Sequence, residues 1–252
     1  MHIKIFISKT ILCGDLMNKD EIFSLSLDIG QGIIKCGGEV NRAEDTIKRI
    51  NLAHNQKCSV FAIPSLIIAQ CGKNIQIRKI EREDTNLAEL DRLNDLSRRL
   101  CGKNNKKLKT AQNKVYSKSL ETTAVFAATS AFCLFFKGSI TDAVFSGIIG
   151  IIISYCSYKK ISLPLFSANL IDAFIAGTLS YIPKFIGLNV HPDKIIVGTI
   201  MLLVPGLTIV NAMRDMMNGD LIAGMLELFN SVMSALAIAF GVAGAIMIFN
   251  KI

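Results

Sequence analysis

From residue 119 onward the chain is dominated by five apolar segments, near 119–136, 140–157, 166–183, 195–213 and 221–249. Each can reach the roughly 17–25 residues that a helix needs to cross a bilayer. Lipid leaves a chain few options, because every backbone N–H and C=O must be paired within protein, and a helix pairs its own. Composition points the same way: 51% hydrophobic residues and a mean hydropathy of +0.43 are more apolar than an ordinary soluble domain. The fold class expected is a membrane α-helical bundle of about five transmembrane helices, preceded by a small cytoplasmic α+β domain.

Charge divides the chain at the same place. Residues 1–118 hold 21 Lys/Arg against 13 Asp/Glu, and residues 119–252 hold 7 against 7, so the whole surplus of +8 lies in the first part. Its peak is Lys103 to Lys118, with six lysines and no acid, directly before the first apolar segment. That position suits positive-inside topology. A nucleic-acid site would interleave aromatics or arginines, and only Tyr116 is there, so no nucleic-acid partner is expected. With residues 1–118 in the cytoplasm, the inner side also receives Lys159, Lys160 and Arg214. The outer side receives only Lys137, Lys184, Lys194 and Lys251. Five spans put the C-terminus outside, and an odd number suggests a missing half, since many transporters are built from two repeats.

The expected organisation is a cytoplasmic domain over 17–102, a basic linker over 103–118 and a transmembrane domain over 119–252. Residues 1–16 are set apart as a non-native extension, because Met17 followed by Asn18-Lys19-Asp20-Glu21 makes a natural start. In the cytoplasmic domain Ile22, Leu25, Ile29 and Ile33 recur at helical spacing, and Gly37-Gly38 would end that helix. Asn41 with Glu44 reads as a capping box for a second helix, and Asn86 with Glu89 for a third. Between them Cys58–Ile63, Leu66–Gln70 and Ile75–Ile80 are short β-prone runs. Seven scattered cysteines form no CxxC and suggest neither a disulfide framework nor a zinc site. No GxxxxGK[ST] loop and no credible Ser/His/Asp order exists, so neither metal nor cofactor is expected, and the chain reads as a transporter rather than an enzyme.

Residues 195–220 carry the densest chemistry. An apolar helix runs into Pro205-Gly206 and then meets Asn211, Arg214, Asp215, Gly219 and Asp220. Proline removes a backbone donor and crowds the preceding turn, and broken helices are where many transporters bind substrate. Arg214 can fork onto a substrate carboxylate, or with Asp215 simply mark a cytoplasmic helix end. Asn211 can contact substrate or tie helices together. Asp172 lies inside the third segment, where a carboxylate is expensive unless paired or hydrated. It reads either as a proton-coupling site or as a group near the boundary. Glu227 lies two turns beyond Asp220 on one face, with Asn230 one turn further. Glu227 is a proton or substrate group, or else a salt-bridge partner of Arg214. In the cytoplasmic domain Glu39, Arg42, Glu44, Asp45, Ser65, Asn94, Ser97 and Arg98 can form a ligand-sensing or hydrolase-like pocket. The plainer reading of the same residues is capping and solvated faces.

Three stretches carry a resemblance. LSLDIGQGIIKCGGEVNRAEDTIKRI (25–50), FAIPSLII (61–68) and LDRLNDLSRRL (90–100) resemble the N-terminal domain of the threonine/serine exporter family. LVPGLTIVNAMRDMMNGDLIAGMLELFNSVMSALAIAFGVA (203–243) is similar to that family's last membrane segments. The resemblance implies a multi-pass exporter of the bacterial inner membrane with its N-terminal domain in the cytoplasm. Its implied cargo is a small carboxylate: threonine or serine, or a dicarboxylate such as succinate, which the family's split members export. The chain looks like the larger subunit of a split system, whose small membrane partner supplies the other half. The alternative that the residues leave open is a membrane-tethered sensor or hydrolase-like enzyme acting through residues 17–102.

Overall fold

The computed structural model describes residues 18–81, 85–102, 117–159 and 163–249. The expected N-terminal extension and nearly all of the lysine-rich linker lie outside the described residues. The described residues are mostly helical, with one small sheet among them. In order they form α1 (Lys19–Lys35), α2 (Val40–Ala53), β1 (Cys58–Ile63), β2 (Leu66–Cys71), β3 (Asn74–Lys79) and α3 (Leu87–Cys101). Then come α4 (Lys118–Phe135), α5 (Ile140–Lys159), α6 (Leu165–Phe185), α7 (Pro192–Ile200), α8 (Gly206–Met217) and α9 (Leu221–Phe249). Two compact units result, and they are not sequential. One gathers the described residues within Met1–Lys114 together with Leu207–Leu228. The other gathers those within Val115–Gly206 together with Phe229–Ile252.

In the first unit α1, α2 and α3 pack around Phe23, Leu27, Ile29, Ile33, Ile47, Ile50 and Leu93, all nearly inaccessible, and Ala223 of α9 joins them. Helix α1 ends in a Schellman turn. Gly37 (φ +81°) and Gly38 donate back to the carbonyls of Ile34 and Ile33, and a Cβ on Gly38 would strike the Ile33 carbonyl at 2.8 Å. Helix α3 starts as expected, with the Asn86 side chain accepting the Glu89 N–H at 3.0 Å. Helix α2 does not. It begins at Val40 with Glu39 as N-cap, and the expected Asn41–Glu44 box is not formed. Glu44 instead reaches the sheet, accepting the Ala62 N–H at 2.7 Å and pairing with Lys48 at 2.8 Å.

The sheet is an antiparallel meander in the order β1-β2-β3. Its register brings Cys58 opposite Cys71 with Cα atoms 4.3 Å apart, and the two are joined by a disulfide. This corrects the expectation of no disulfide: a thirteen-residue separation looks arbitrary until the hairpin makes the two residues direct neighbours. The face of the sheet turned to the helices carries Val60, Ala62, Ile67 and Ala69, but on β3 it carries Asn74, Gln76 and Arg78. Helix α1 meets that polar strip with a polar stripe of its own. Asn74 donates to Asp20 at 3.1 Å, Arg78 donates to Ser24 at 3.1 Å and lies 3.5 Å from Asp28, and Gln31 donates to the Lys79 carbonyl at 2.7 Å.

Burial pushes the Asp28 carboxyl above its usual range, and the Arg78 guanidinium pulls it back only in part. An acid that holds its proton more readily folded than unfolded favours folding as the pH falls through its folded pKa. The native chain is therefore expected to gain stability relative to Asp28→Asn between pH 7 and pH 4, read from thermal melts in detergent.

In the second unit α5 (over Ile140–Ser157) and α6 are long and apolar enough to cross a membrane. The 29-residue α9, shared between the units, is the third such helix among the described residues. Helix α4 has the length, but Lys118, Glu121 and three hydroxyl residues occupy its first turns. The fourth apolar segment is not one helix. It divides into α7 and α8, of 9 and 12 residues, across a turn at Met201–Pro205. Small residues let the helices approach: Cβ atoms on Gly147, Gly150 and Gly198 would meet Phe126, Thr129 and Cys133 at 2.4–2.7 Å, and one on Gly241 would meet the Leu170 carbonyl at 2.4 Å. Hydroxyls fill the same seam, with Ser146 bonded to the Thr129 carbonyl at 3.2 Å and lying 3.3 Å from the Thr199 hydroxyl.

Candidate functional site

The polar residues that follow the break converge on one place in the first unit, the start of α2. Four N–H groups at a helix start have no helical partner, and the dipole there is positive. Glu39 offers no side-chain cap. The cap comes from 174–175 residues away. Asp215, fully buried on α8, accepts the Val40 N–H at 3.1 Å and the Asn41 N–H at 3.2 Å, one through each carboxylate oxygen. The Asn41 side chain, which does not cap its own helix, donates to Asp220 at 2.7 Å. Asn211 donates to the Gly37 carbonyl at 2.9 Å, and Arg214 forms an ion pair with Glu39. Five bonds thus clamp residues 37–41 between α8 and the start of α9.

Local chemistry explains how α8 and α9 present these groups together. Helix α8 ends in another Schellman turn, with Gly219 at φ +97° and the Asp220 N–H returning to the Asp215 carbonyl at 3.0 Å. That turn sets Asp220 beside Asp215, and the Asp220 carbonyl then accepts the Gly224 N–H in the first turn of α9. Burial raises the Asp215 carboxyl, the two N–H donors oppose this, and the neighbouring Glu39 and Asp220 charges add to the rise. Three acids therefore share the clamp with one arginine and the α2 dipole.

The other candidates lie apart. Pro205 sits in the break, and a Cβ on Gly206 would meet nothing within 4 Å, so proline rather than crowding at the glycine makes the break. Asp172, 2% exposed on α6, accepts a hydrogen bond from Ser157 on α5. Glu227 is buried at 1% exposure on α9, and Asn230 is exposed one turn on. The expected alternative of an Arg214–Glu227 bridge gives way to Arg214–Glu39.

The candidates within residues 17–102 do not gather into one pocket. Arg42, Ser65 and Arg98 are exposed, and Asp45 pairs loosely with Arg49 at 3.8 Å on the surface. Ser97 is buried and bonds the carbonyl of Asn94 on its own helix at 2.8 Å. Only Glu39 joins the clamp. One cluster went unread in the sequence. Asp142, fully buried in the second unit, accepts from the N–H groups of Ser139 (2.8 Å) and His191 (2.9 Å) and lies 3.1 Å from the His191 ring. The signal for it was Ser139-x-x-Asp142 at the start of an apolar run, a capping box.

Among proteins of curated function and among solved structures nothing matches the chain. The family model ThrE, described as a threonine/serine exporter, matches residues 24–249. That span takes in the clamped turn at 37–41, the Pro205 break, the residues 211–220 that hold the clamp and the apolar helices, so this membrane protein belongs to the ThrE threonine/serine exporter family.

Proposed function

We propose that this chain is the larger subunit of a split secondary exporter that moves small carboxylate metabolites out of the cytoplasm. The cargo is threonine or serine, or a dicarboxylate such as succinate, and the proton gradient drives it. The subunit sits as a multi-pass protein in a bacterial inner membrane with its N-terminal domain in the cytoplasm, and a small membrane subunit of the same family completes the transport path. The observation that carries the reading is the break at Met201–Pro205, which leaves α7 and α8 each too short to cross a bilayer alone. Broken backbone at membrane depth is tolerated where it lines a water-filled cavity or lies inside protein, and half-helix starts suit carboxylates.

The clamp gives the cytoplasmic domain a part in this. Helix α8 carries Asn211, Arg214 and Asp215, so a shift of that half-helix pulls on the start of α2. Arg214 in this reading is a holding group and leaves carboxylate binding to the break itself.

The test is efflux from preloaded cells expressing the chain with and without its small partner, using labelled threonine, serine and succinate in parallel. Efflux of one cargo only when both chains are present, abolished by an uncoupler, is the expected result. No efflux of any of the three, with both chains in the membrane, overturns the reading.

A further inference from the structure

The outward face of the sheet is apolar and uncovered among the described residues. Its central row runs Phe61–Ile68–Ile77 across the three strands, with Ile75 beside Ile77 on β3. These four are 50%, 38%, 65% and 59% exposed respectively for Phe61, Ile68, Ile77 and Ile75. Strand β3 makes the point sharply. A strand covered on one side turns its apolar residues to the core, and a one-residue shift of register reverses them. Here Ile75 and Ile77 point away from the helices, and Asn74, Gln76 and Arg78 point toward them. The register is not accidental, because two of the three inward polar residues are met from α1, Asn74 by Asp20 and Arg78 by both Ser24 and Asp28. A strand built this way has its apolar partner on the other side.

We infer that this face is the contact through which two copies of the chain pair, sheet against sheet. The exposed parts of the four side chains come to roughly 400 Å² of apolar surface, in the range of the largest and often functional patch on a monomer. Two copies would bury roughly 800 Å² from these residues alone, about half of a standard interface, leaving the rest to the rim. The face is self-complementary. A two-fold axis along β2 sets Phe61 against the partner's Ile77 and Ile68 against the partner's Ile68, and neighbouring sheets pack in this face-to-face way. A lipid surface is the weaker occupant. The charged group in this part of the face is Lys79, 3.3 Å from Glu81, and anionic lipid attracts clusters of four or more basic residues. The inference is independent of the transport reading, since it rests on the sheet alone.

A photo-crosslinking residue placed at position 68 or 77 of the full chain, in cells, tests it directly. The expected product has twice the mass of the chain and contains this chain only. A crosslinker at position 98, exposed on α3, serves as the negative control. Adding Ile68→Glu should lower the yield from position 77 about tenfold, since a buried unpaired carboxylate opposes the contact, with the variant's membrane level and melting transition checked alongside. Adducts to lipid or to a different protein at both positions, or no adduct at either, overturn the proposal.

Discussion

Replacing Asp215 with alanine is expected to lower stability by roughly 2–4 kcal/mol, because it leaves the N–H groups of Val40 and Asn41 without their acceptor at a helix start. Efflux should fall with it. Val40 is 1% exposed, so water does not readily replace the lost carboxylate. Asp215→Asn is expected to recover about half of the loss: an amide presents one acceptor oxygen, and its NH2 group faces the second N–H. Thermal unfolding of the purified chain measures the stability change, and efflux at matched membrane levels measures the functional one. Alanine variants with native stability would mean that α2 finds another cap, and the clamp would lose its importance.

The second large effect is expected from the acids buried in apolar helices. Asp172→Asn keeps an acceptor for the Ser157 hydroxyl and removes the charge alone, and Glu227→Gln does the same at 1% exposure. If either acid carries the coupled proton, uncoupler-sensitive efflux should drop roughly 100-fold with normal membrane insertion, since ionisable groups at such depth are retained for function. Asn230→Ala, at an exposed position on the same helix, should leave efflux within about twofold. Full activity in both acid variants would remove Asp172 and Glu227 from the coupling path.

Local signals in the sequence were read correctly where the chemistry is local. The Asn86–Glu89 cap, the three strands and the glycine stop after Lys35 each depend on residues within a few positions of one another. The Pro205 break was legible because proline acts on its own turn. What could not be read depends on partners far along the chain. Asn41 and Glu44 have the spacing of a capping box, but Asp215 takes the cap and frees both side chains for Asp220 and the Ala62 N–H. Cys58 and Cys71 look unrelated until the β1–β2 register pairs them. Arg214 and Asp215 have the composition of a carboxylate site, and only the structure shows them spent on Glu39 and the α2 backbone. The candidates within residues 17–102 fail to gather for a related reason: Ser65 lies in the β1–β2 turn, while Asn94, Ser97 and Arg98 lie on α3.

The most direct test of the clamp is charge exchange between Glu39 and Arg214, read as efflux of whichever cargo the preloaded cells release. Glu39→Arg and Arg214→Glu should each reduce efflux about tenfold by setting like charges against one another where the native pair attracts, and the double exchange should restore most of it. Restoration would establish that Arg214 works by holding residue 39. A double variant as inactive as Arg214→Glu alone, with both proteins folded and in the membrane, would contradict the account and return Arg214 to the cargo path.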